Sequence, residues 1–292
     1  MKRGRLIKGI GGFYYVDVDG ETYECKARGI FRQMKITPLV GDYVEISITD
    51  EQKKLGVMEK IMERSTELIR PTVANVNQAI IVFAVTQPEP NIMLLDRFLV
   101  LAESEELEVV ICFNKVDLLA EEDYLPIVDR YRAIGYKVLL TSVKRDVGIA
   151  DLKEVLIGNT SVFAGPSGVG KSTLLNKVHP ELQLKTGEIS VKTARGKHTT
   201  RHAELIAIEK NSWVVDTPGF SALSLDFMEA EDLALYFPEF NEYREECKFS
   251  SCQHIDEPKC GIKNALQKNL IAEERHNSYQ QFLQEIKSNR RF

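Results

Sequence analysis

An α/β fold, with a small β module ahead of it and a metal-clipped helical module behind it, is predicted by three features of the 292-residue sequence. Gly165-Pro166-Ser167-Gly168-Val169-Gly170-Lys171-Ser172 matches G-x-x-x-x-G-K-[ST], between an apolar run at 161–164 and a helix-like run at 172–178. Residues 1–68 hold short alternating segments separated by turn signals. Cys247, Cys252, His254 and Cys260 crowd together near the end of the chain.

Composition narrows the class. Hydrophobic residues at 43 % and charged residues at 28 % are ordinary for a globular protein. No apolar run approaches the roughly 20 residues that span a bilayer, so no membrane partner is expected. The segment Met1 to Leu6 is charged without a long apolar stretch behind it, which predicts no signal peptide and a cytoplasmic location. The formal net charge of -5 is unevenly spread: residues 1–70 carry 13 Lys+Arg against 11 Asp+Glu, a balance of +2 by direct count. That weak basic excess is compatible with RNA contact.

In chain order, 13–20 alternates and ends in Asp19-Gly20, and 21–26 alternates again, the signal of a tight hairpin. Residues 41–48 give a further strand. Several short strands in so short a stretch predict an oligonucleotide-binding (OB) type barrel over 1–68. The pattern then changes. Residues 78–85 form a continuous apolar strand, as parallel sheets require. A helix at 92–106, a strand at 108–113, a helix near 121–134 and a strand at 137–141 follow, predicting a doubly wound sheet over 72–229. Helices at 262–270 and 272–288 close a module over 230–292, and Tyr279, Phe282, Leu283 and Ile286 make a packing stripe on the last of them.

The chemistry lies at the strand ends. Successive backbone N–H groups of the 165–172 loop, with a helix behind them, form a concave anion site. Gly165, Gly168 and Gly170 let the backbone close around phosphates. Lys171 is expected to reach the β- and γ-phosphates, Ser172 to ligate Mg²⁺, and Thr173 to complete the cradle. Asn114-Lys115-Val116-Asp117 follows the 108–113 strand. The Asp117 carboxylate can accept from N1–H and the exocyclic amine of guanine, a donor pair adenine lacks. Asn114 can bond the opposite edge of the base, and the Lys115 stem can pack over its ring. Thr141 and Ser142 follow the next strand, where a backbone N–H could donate to guanine O6. Asp216-Thr217-Pro218-Gly219 ends the apolar strand at 213–215. Asp216 would hold Mg²⁺ through water, and the Gly219 N–H would meet the γ-phosphate. One of Thr199 or Thr200, in the polar segment 187–202, would close on Mg²⁺ and γ-phosphate. Thr200 is paired with Ser172 as magnesium ligand, with the choice between the two threonines left open.

The guanine loop at 114 precedes the phosphate loop at 165, the reverse of the ordinary GTPase order. The parts are complete but rotated, as in a circular permutation. In this order the chain resembles the circularly permuted P-loop GTPases. With Gly196-Lys197-His198-Thr199-Thr200 and a preceding barrel it resembles the ribosome small-subunit-dependent GTPase family along essentially its whole length. The resemblance implies GTP hydrolysis to GDP stimulated by the small ribosomal subunit, contact with its rRNA, and action late in its maturation. A monomer is expected.

Phe220 follows Gly219 where ordinary GTPases often place a water-orienting Gln. His198 is the candidate to position the attacking water instead, and the resemblance implies the same. Cys247, Cys252, His254 and Cys260 supply the Cys₃His set of one closed, structural Zn²⁺ site. The rival reading is a nucleotide-dependent RNA-binding switch in which hydrolysis is incidental.

Overall fold

The amino-terminal strands close on themselves. In the computed structural model, which describes residues 1–69, 71–182, 203–216 and 223–289, β1 (Lys2–Ile10), β2 (Phe13–Val18) and β3 (Glu21–Ala27) form an antiparallel meander. A short helix, α1 (Gly29–Gln33), leads to β4 (Tyr43–Asp50) and β5 (Leu55–Ile61). The barrel closes in the order β1-β2-β3-β5-β4, with β3 and β5 parallel. Asp19 and Gly20 turn the expected hairpin with φ of 53° and 90°, as the right-handed strand twist demands of a two-residue turn. Leu6, Val16, Tyr23, Cys25, Val44, Ile46 and Met58 fill the interior completely.

β1 is absent from the sequence reading for a physical reason. Its inward positions include Gly4, where a Cβ would lie 2.6 Å from Val16 and 2.8 Å from Val18. The strand therefore lacks the apolar alternation that marks its neighbours.

After a two-stranded ribbon, β6 (Glu67–Ile69) and β7 (Thr72–Ala74), the chain enters a six-stranded sheet. Its members are β8 (Gln78–Ala84), β9 (Glu108–Asn114), β10 (Lys137–Thr141), β11 (Thr160–Ala164), β12 (Leu205–Glu209) and β13 (Ser212–Val215). Helices α2 (Ile92–Ser104), α3 (Glu121–Ile134), α4 (Ile149–Leu156) and α5 (Lys171–Val178) lie between them in sequence. The spatial order is β10-β9-β8-β11-β13-β12, parallel except for β12 against β13. α4 and the antiparallel β12 were not foreseen. Alternate side chains leave opposite faces: Ile80, Val82, Val110 and Cys112 enter one core, and Ile81, Phe83, Ile111 and Phe113 the other. β11 lies in the middle of the sheet, between β8 and β13. The chain thus reaches the phosphate-loop strand after building one edge, and the permuted order becomes an ordinary spatial arrangement.

The last segment adds α6 (Asn241–Arg244), α7 (Gly261–Gln267) and α8 (Glu273–Asn289). Tyr279, Phe282, Leu283 and Ile286 are buried against the larger core, so the predicted stripe is packing. Arg275 of α8 is fully buried; it donates to Asp96 on α2 (2.7 Å) and to both carboxylate oxygens of Glu239 (2.6 and 3.1 Å). The barrel is tied to the sheet by Arg5, which donates to the Asn75 carbonyl and to Thr160 Oγ1, each at 3.1 Å. Among the described residues, no helix is long and apolar enough to cross a membrane.

Candidate nucleotide site and metal centre

Four loops meet at the carboxyl ends of parallel strands, the edge where open α/β sheets place their ligands. Gly165 to Gly170 follow β11, Lys115 to Asp117 follow β9, Ser142 follows β10, and Asp216 follows β13. The phosphate loop is shaped by its neighbours as well as for its ligand. Gly165 has φ of 132°, and a Cβ there would sit 2.1 Å from the Val82 carbonyl oxygen. A Cβ on Gly170, φ 99°, would meet Asn114 Nδ2 at 2.5 Å.

Asn114 is buried. Its Nδ2 donates to the Val169 carbonyl (2.8 Å), and its Oδ1 accepts from Thr141 Oγ1 (3.0 Å). It thus braces the phosphate loop against β10, and only one of its two amide hydrogens is committed to the loop. Lys115 has φ of 65° and donates through Nζ to the Gly168 carbonyl at 2.7 Å and to the Gln87 carbonyl. Gln87 lies in the loop after β8 and carried no sequence signal, because only its backbone takes part.

Asp117 is oriented by Ser142, whose Oγ donates to Oδ1 at 2.5 Å. That bond is the main reason its carboxyl lies below the usual range, with Lys144 and Arg145 adding to the effect. A carboxylate held ionised and aimed is what an acceptor for guanine N1–H and N2–H requires. Of the backbone N–H groups after β10 among which a donor to guanine O6 is expected, that of Ser142 is engaged: it donates to the Val147 carbonyl at 3.0 Å. The antiparallel bridge between Ser142 and Val147, which closes this turn, takes it.

Lys171 is buried, and its Nζ donates to the Gly165 and Pro166 carbonyls, each at 2.7 Å. Burial pulls it down to about 8. Its bonds to the loop's own carbonyls hold the ammonium inside the cradle. Ser172, also buried, opens α5, and Thr173 follows it. Asp216 is exposed at the end of β13, and its N–H donates to the Glu204 carbonyl at 2.8 Å. His198, Thr199, Thr200 and Gly219 lie outside the described residues.

The metal-type ligands are brought together as the spacing predicted. One donor atom from each of Cys247, Cys252, His254 and Cys260 lies within 4.8 Å of all the others. Cys247 Sγ and Cys260 Sγ are 3.8 Å apart, and His254 Nδ1 is 3.5 and 3.4 Å from them. Zn–S bonds of about 2.3 Å and Zn–N bonds of about 2.0 Å in a tetrahedron give edges of roughly 3.5 to 3.8 Å, so the donors fit such an ion. Burial lowers His254, leaving the neutral imidazole that a metal needs. The surroundings orient the set: the Gly261 N–H donates to Cys247 Sγ (3.3 Å), His276 Nε2 meets the His254 carbonyl (2.9 Å), and Tyr279 donates to the Gln253 carbonyl (3.0 Å).

A phosphate-loop motif, an Asn-Lys-Val-Asp loop and an aspartate after β13, strung in rotated chain order on one mostly parallel sheet, define a circularly permuted P-loop GTPase fold. The RsgA GTPase family model matches residues 61–226, and the RsgA N-terminal domain model matches residues 3–57. The chain belongs to the RsgA GTPase family. It is 58 % identical over 292 residues to the small ribosomal subunit biogenesis GTPase RsgA of Alkaliphilus metalliredigens, with 100 % of each chain covered. It is 50 % identical over 291 residues to the protein of the same name from a Geobacillus species, with 98 % of each covered. Among solved structures, YjeQ from Thermotoga maritima superposes with a TM-score of 0.86 at 39 % identity, covering 98 % of both chains. YloQ, a circularly permuted GTPase, superposes with a TM-score of 0.83 at 41 % identity, covering 99 % of this chain and 96 % of the other.

Proposed function

We propose that this protein hydrolyses GTP to GDP and phosphate in the late maturation of the small ribosomal subunit, and that the subunit stimulates the reaction. The observation that carries the reading is the pairing of Ser142 with Asp117 at 2.5 Å beside a phosphate loop that Asn114 and Lys115 brace. Base selection and phosphate binding are thereby parts of one rigid frame. Asp117 selects guanine. Gly165 to Ser172 cradle the phosphates, joined by Thr173. Lys171 leaves its loop carbonyls for the β- and γ-phosphates, where its charge offsets that developing in transfer. Ser172 with Thr199 or Thr200 would hold Mg²⁺, Asp216 would support it through water, and the Gly219 N–H would meet the γ-phosphate. When bound, magnesium would neutralise part of the phosphate charge. With the Ser142 N–H engaged, the donor to guanine O6 comes from the next amides of its turn. His198 positions the attacking water in place of a glutamine.

Cys247, Cys252, His254 and Cys260 would hold zinc, which would clip the polar segment at 247–260. The barrel at 1–68 and the module at 230–292 are the parts that grip rRNA around the nucleotide domain at 72–229. GTP turnover measured with and without purified small subunits tests the reading. Stimulation is expected in the wild type and is lost in His198→Ala, with GDP affinity unchanged. Nucleotide-dependent subunit binding without any change in turnover would favour a switch over an enzyme.

A further inference from the structure

The Arg97 guanidinium on α2 joins three parts of the molecule that are remote in sequence. Its Nη1 donates to the Leu223 carbonyl (3.0 Å) and to Glu285 Oε1 on α8 (2.8 Å), and its Nη2 donates to Glu285 Oε2. The same guanidinium lies 4.7 Å from the centre of the Phe282 ring, and the Arg97 side chain is only 15 % exposed. A flat fork with donors on both arms can grip two carboxylate oxygens and a carbonyl at once; a lysine ammonium lacks that shape.

An ion pair between two helices needs only the bonds to Glu285. The bond to Leu223 is a separate commitment, and its place along the chain gives it meaning. Leu223 is the first described residue after the Asp216-Thr217-Pro218-Gly219 motif, and it lies outside helix and strand, so no backbone ladder fixes it. Gly219 is four residues away, at most about 14 Å of extended chain. On the other side of the motif, the Asp216 N–H donates to the Glu204 carbonyl at 2.8 Å. The motif thus has a fixed point on each side.

The fixed point at Leu223 belongs to the frame of the nucleotide site. Arg97 is the sixth residue of α2, about 8 Å along the helix from the end that follows β8. The loop between β8 and α2 holds Gln87, whose carbonyl accepts from Lys115. On the other arm, α8 is locked to Asp96 and Glu239 through Arg275, and Arg130 of α3 donates to its Glu274 at 2.5 Å. A loop whose ends are already placed loses less freedom when its backbone N–H meets a ligand.

We propose that Arg97 is a positioning residue for the third phosphate: by holding the Leu223 carbonyl it fixes the exit of the Asp216–Gly219 motif and so presents the Gly219 N–H. The proposal rests on the reading that Gly219 meets the γ-phosphate, and it adds a residue that stands outside the four nucleotide loops.

Full-length wild type, Arg97→Met and Glu285→Gln are titrated calorimetrically with GDP and with guanosine 5′-(β,γ-imido)triphosphate, both with Mg²⁺. Arg97→Met should lose about tenfold in affinity for the triphosphate, the scale of one hydrogen bond from a charged group, and keep its affinity for GDP. Damage to the fold would move both ligands together, so the ratio of the two affinities is the decisive reading. Glu285→Gln removes the counter-charge but leaves the bond to Leu223, and its ratio should stay at the wild-type value. An unchanged ratio in Arg97→Met overturns the proposal, and so does an equal loss for both nucleotides. A ratio shifted as far in Glu285→Gln as in Arg97→Met also overturns it, by placing the effect in the ion pair. Subunit-stimulated GTP turnover of the wild type reports the wider reading separately. Stimulation with an unchanged ratio in Arg97→Met removes Arg97 alone, whereas a wild type that does not bind the triphosphate removes the γ-phosphate reading and the proposal with it.

Discussion

Ser142 reaches Asp117 through one hydrogen bond, and that bond sets both the direction and the charge of the carboxylate. Replacing Ser142 by Ala removes it, together with the bond that Ser142 Oγ accepts from the Arg145 N–H at 3.1 Å, while leaving the backbone bridge between 142 and 147. GDP affinity should fall by roughly fivefold to tenfold, the worth of one ordinary hydrogen bond, about 1 to 1.4 kcal/mol. Equilibrium dialysis with GDP reads the loss; unchanged affinity would mean that Asp117 needs no orienting. Lys171 gives a pH prediction. In the free protein burial holds it down at about 8. Phosphates beside the ammonium raise it again. The complex therefore binds a proton that the free protein has released, but only above that value. GDP affinity should be level below pH 8 and decline as pH rises through it, by up to about tenfold per unit. Calorimetry in buffers of different ionisation heat should detect proton uptake from about pH 8 upward. A flat profile would separate Lys171 from the phosphates. The residue types of this site were legible in the sequence, because guanine and phosphate recognition need particular groups at short spacings. Their interlocking was not. Nothing in the spacing says that Asn114 braces Val169 or that the Ser142 N–H is spent on Val147, because those partners are far apart in the chain or held by the backbone.

The elements show the same division. The apolar strands β8, β9 and β11 and the helices α2 and α3 carry their own signals, since a strand buried on both faces must be continuously hydrophobic. β1 hides because Gly4 occupies a place its neighbours fill. β12 escapes because five residues with a half-exposed pattern do not alternate cleanly. α8 was read as an apolar stripe, yet its most consequential side chain is charged. Burial pushes Arg275 down, and Asp96 and Glu239 more than reverse that. Tyr131 donates to the same Asp96 oxygen at 2.7 Å, which joins α3 to the cluster. Arg275→Met keeps the bulk but strands two buried carboxylates. It should cost about 3–5 kcal/mol of stability, read as a lower denaturant midpoint. Adding Asp96→Asn and Glu239→Gln should recover a large part of that loss. Failure of the triple variant to recover would place the cost in packing.

Across the whole molecule, one core runs from Phe83 and Phe98 beside the sheet to Phe237, Phe282 and Cys260 at the metal-type cluster, while the barrel keeps a separate one. The carboxyl-terminal module is therefore welded to the nucleotide domain, and the barrel is held to it by buried hydrogen bonds such as Arg5 to Thr160. Elemental analysis should find one zinc per chain in the wild type and close to none in Cys252→Ser. The variant should also unfold at a lower temperature, because a structural zinc can contribute about 10 kcal/mol or more of folding free energy in small modules. Wild-type protein without zinc, or an unshifted transition in the variant, would refute the clip.

By itself the sequence determined the inventory of this protein: a phosphate-loop motif, an Asn-Lys-Val-Asp loop, a Cys₃His set and a barrel hairpin, each a local pattern whose chemistry demands its residue types. Only the tertiary structure decided that β11 lies between β8 and β13, that Asn114 and Lys115 lock two of those loops together, and that Arg5 ties the barrel to Thr160 at the start of β11. Those facts depend on contacts between residues distant along the chain, and the free energy that selects them comes from closing the whole sheet and its cores at once.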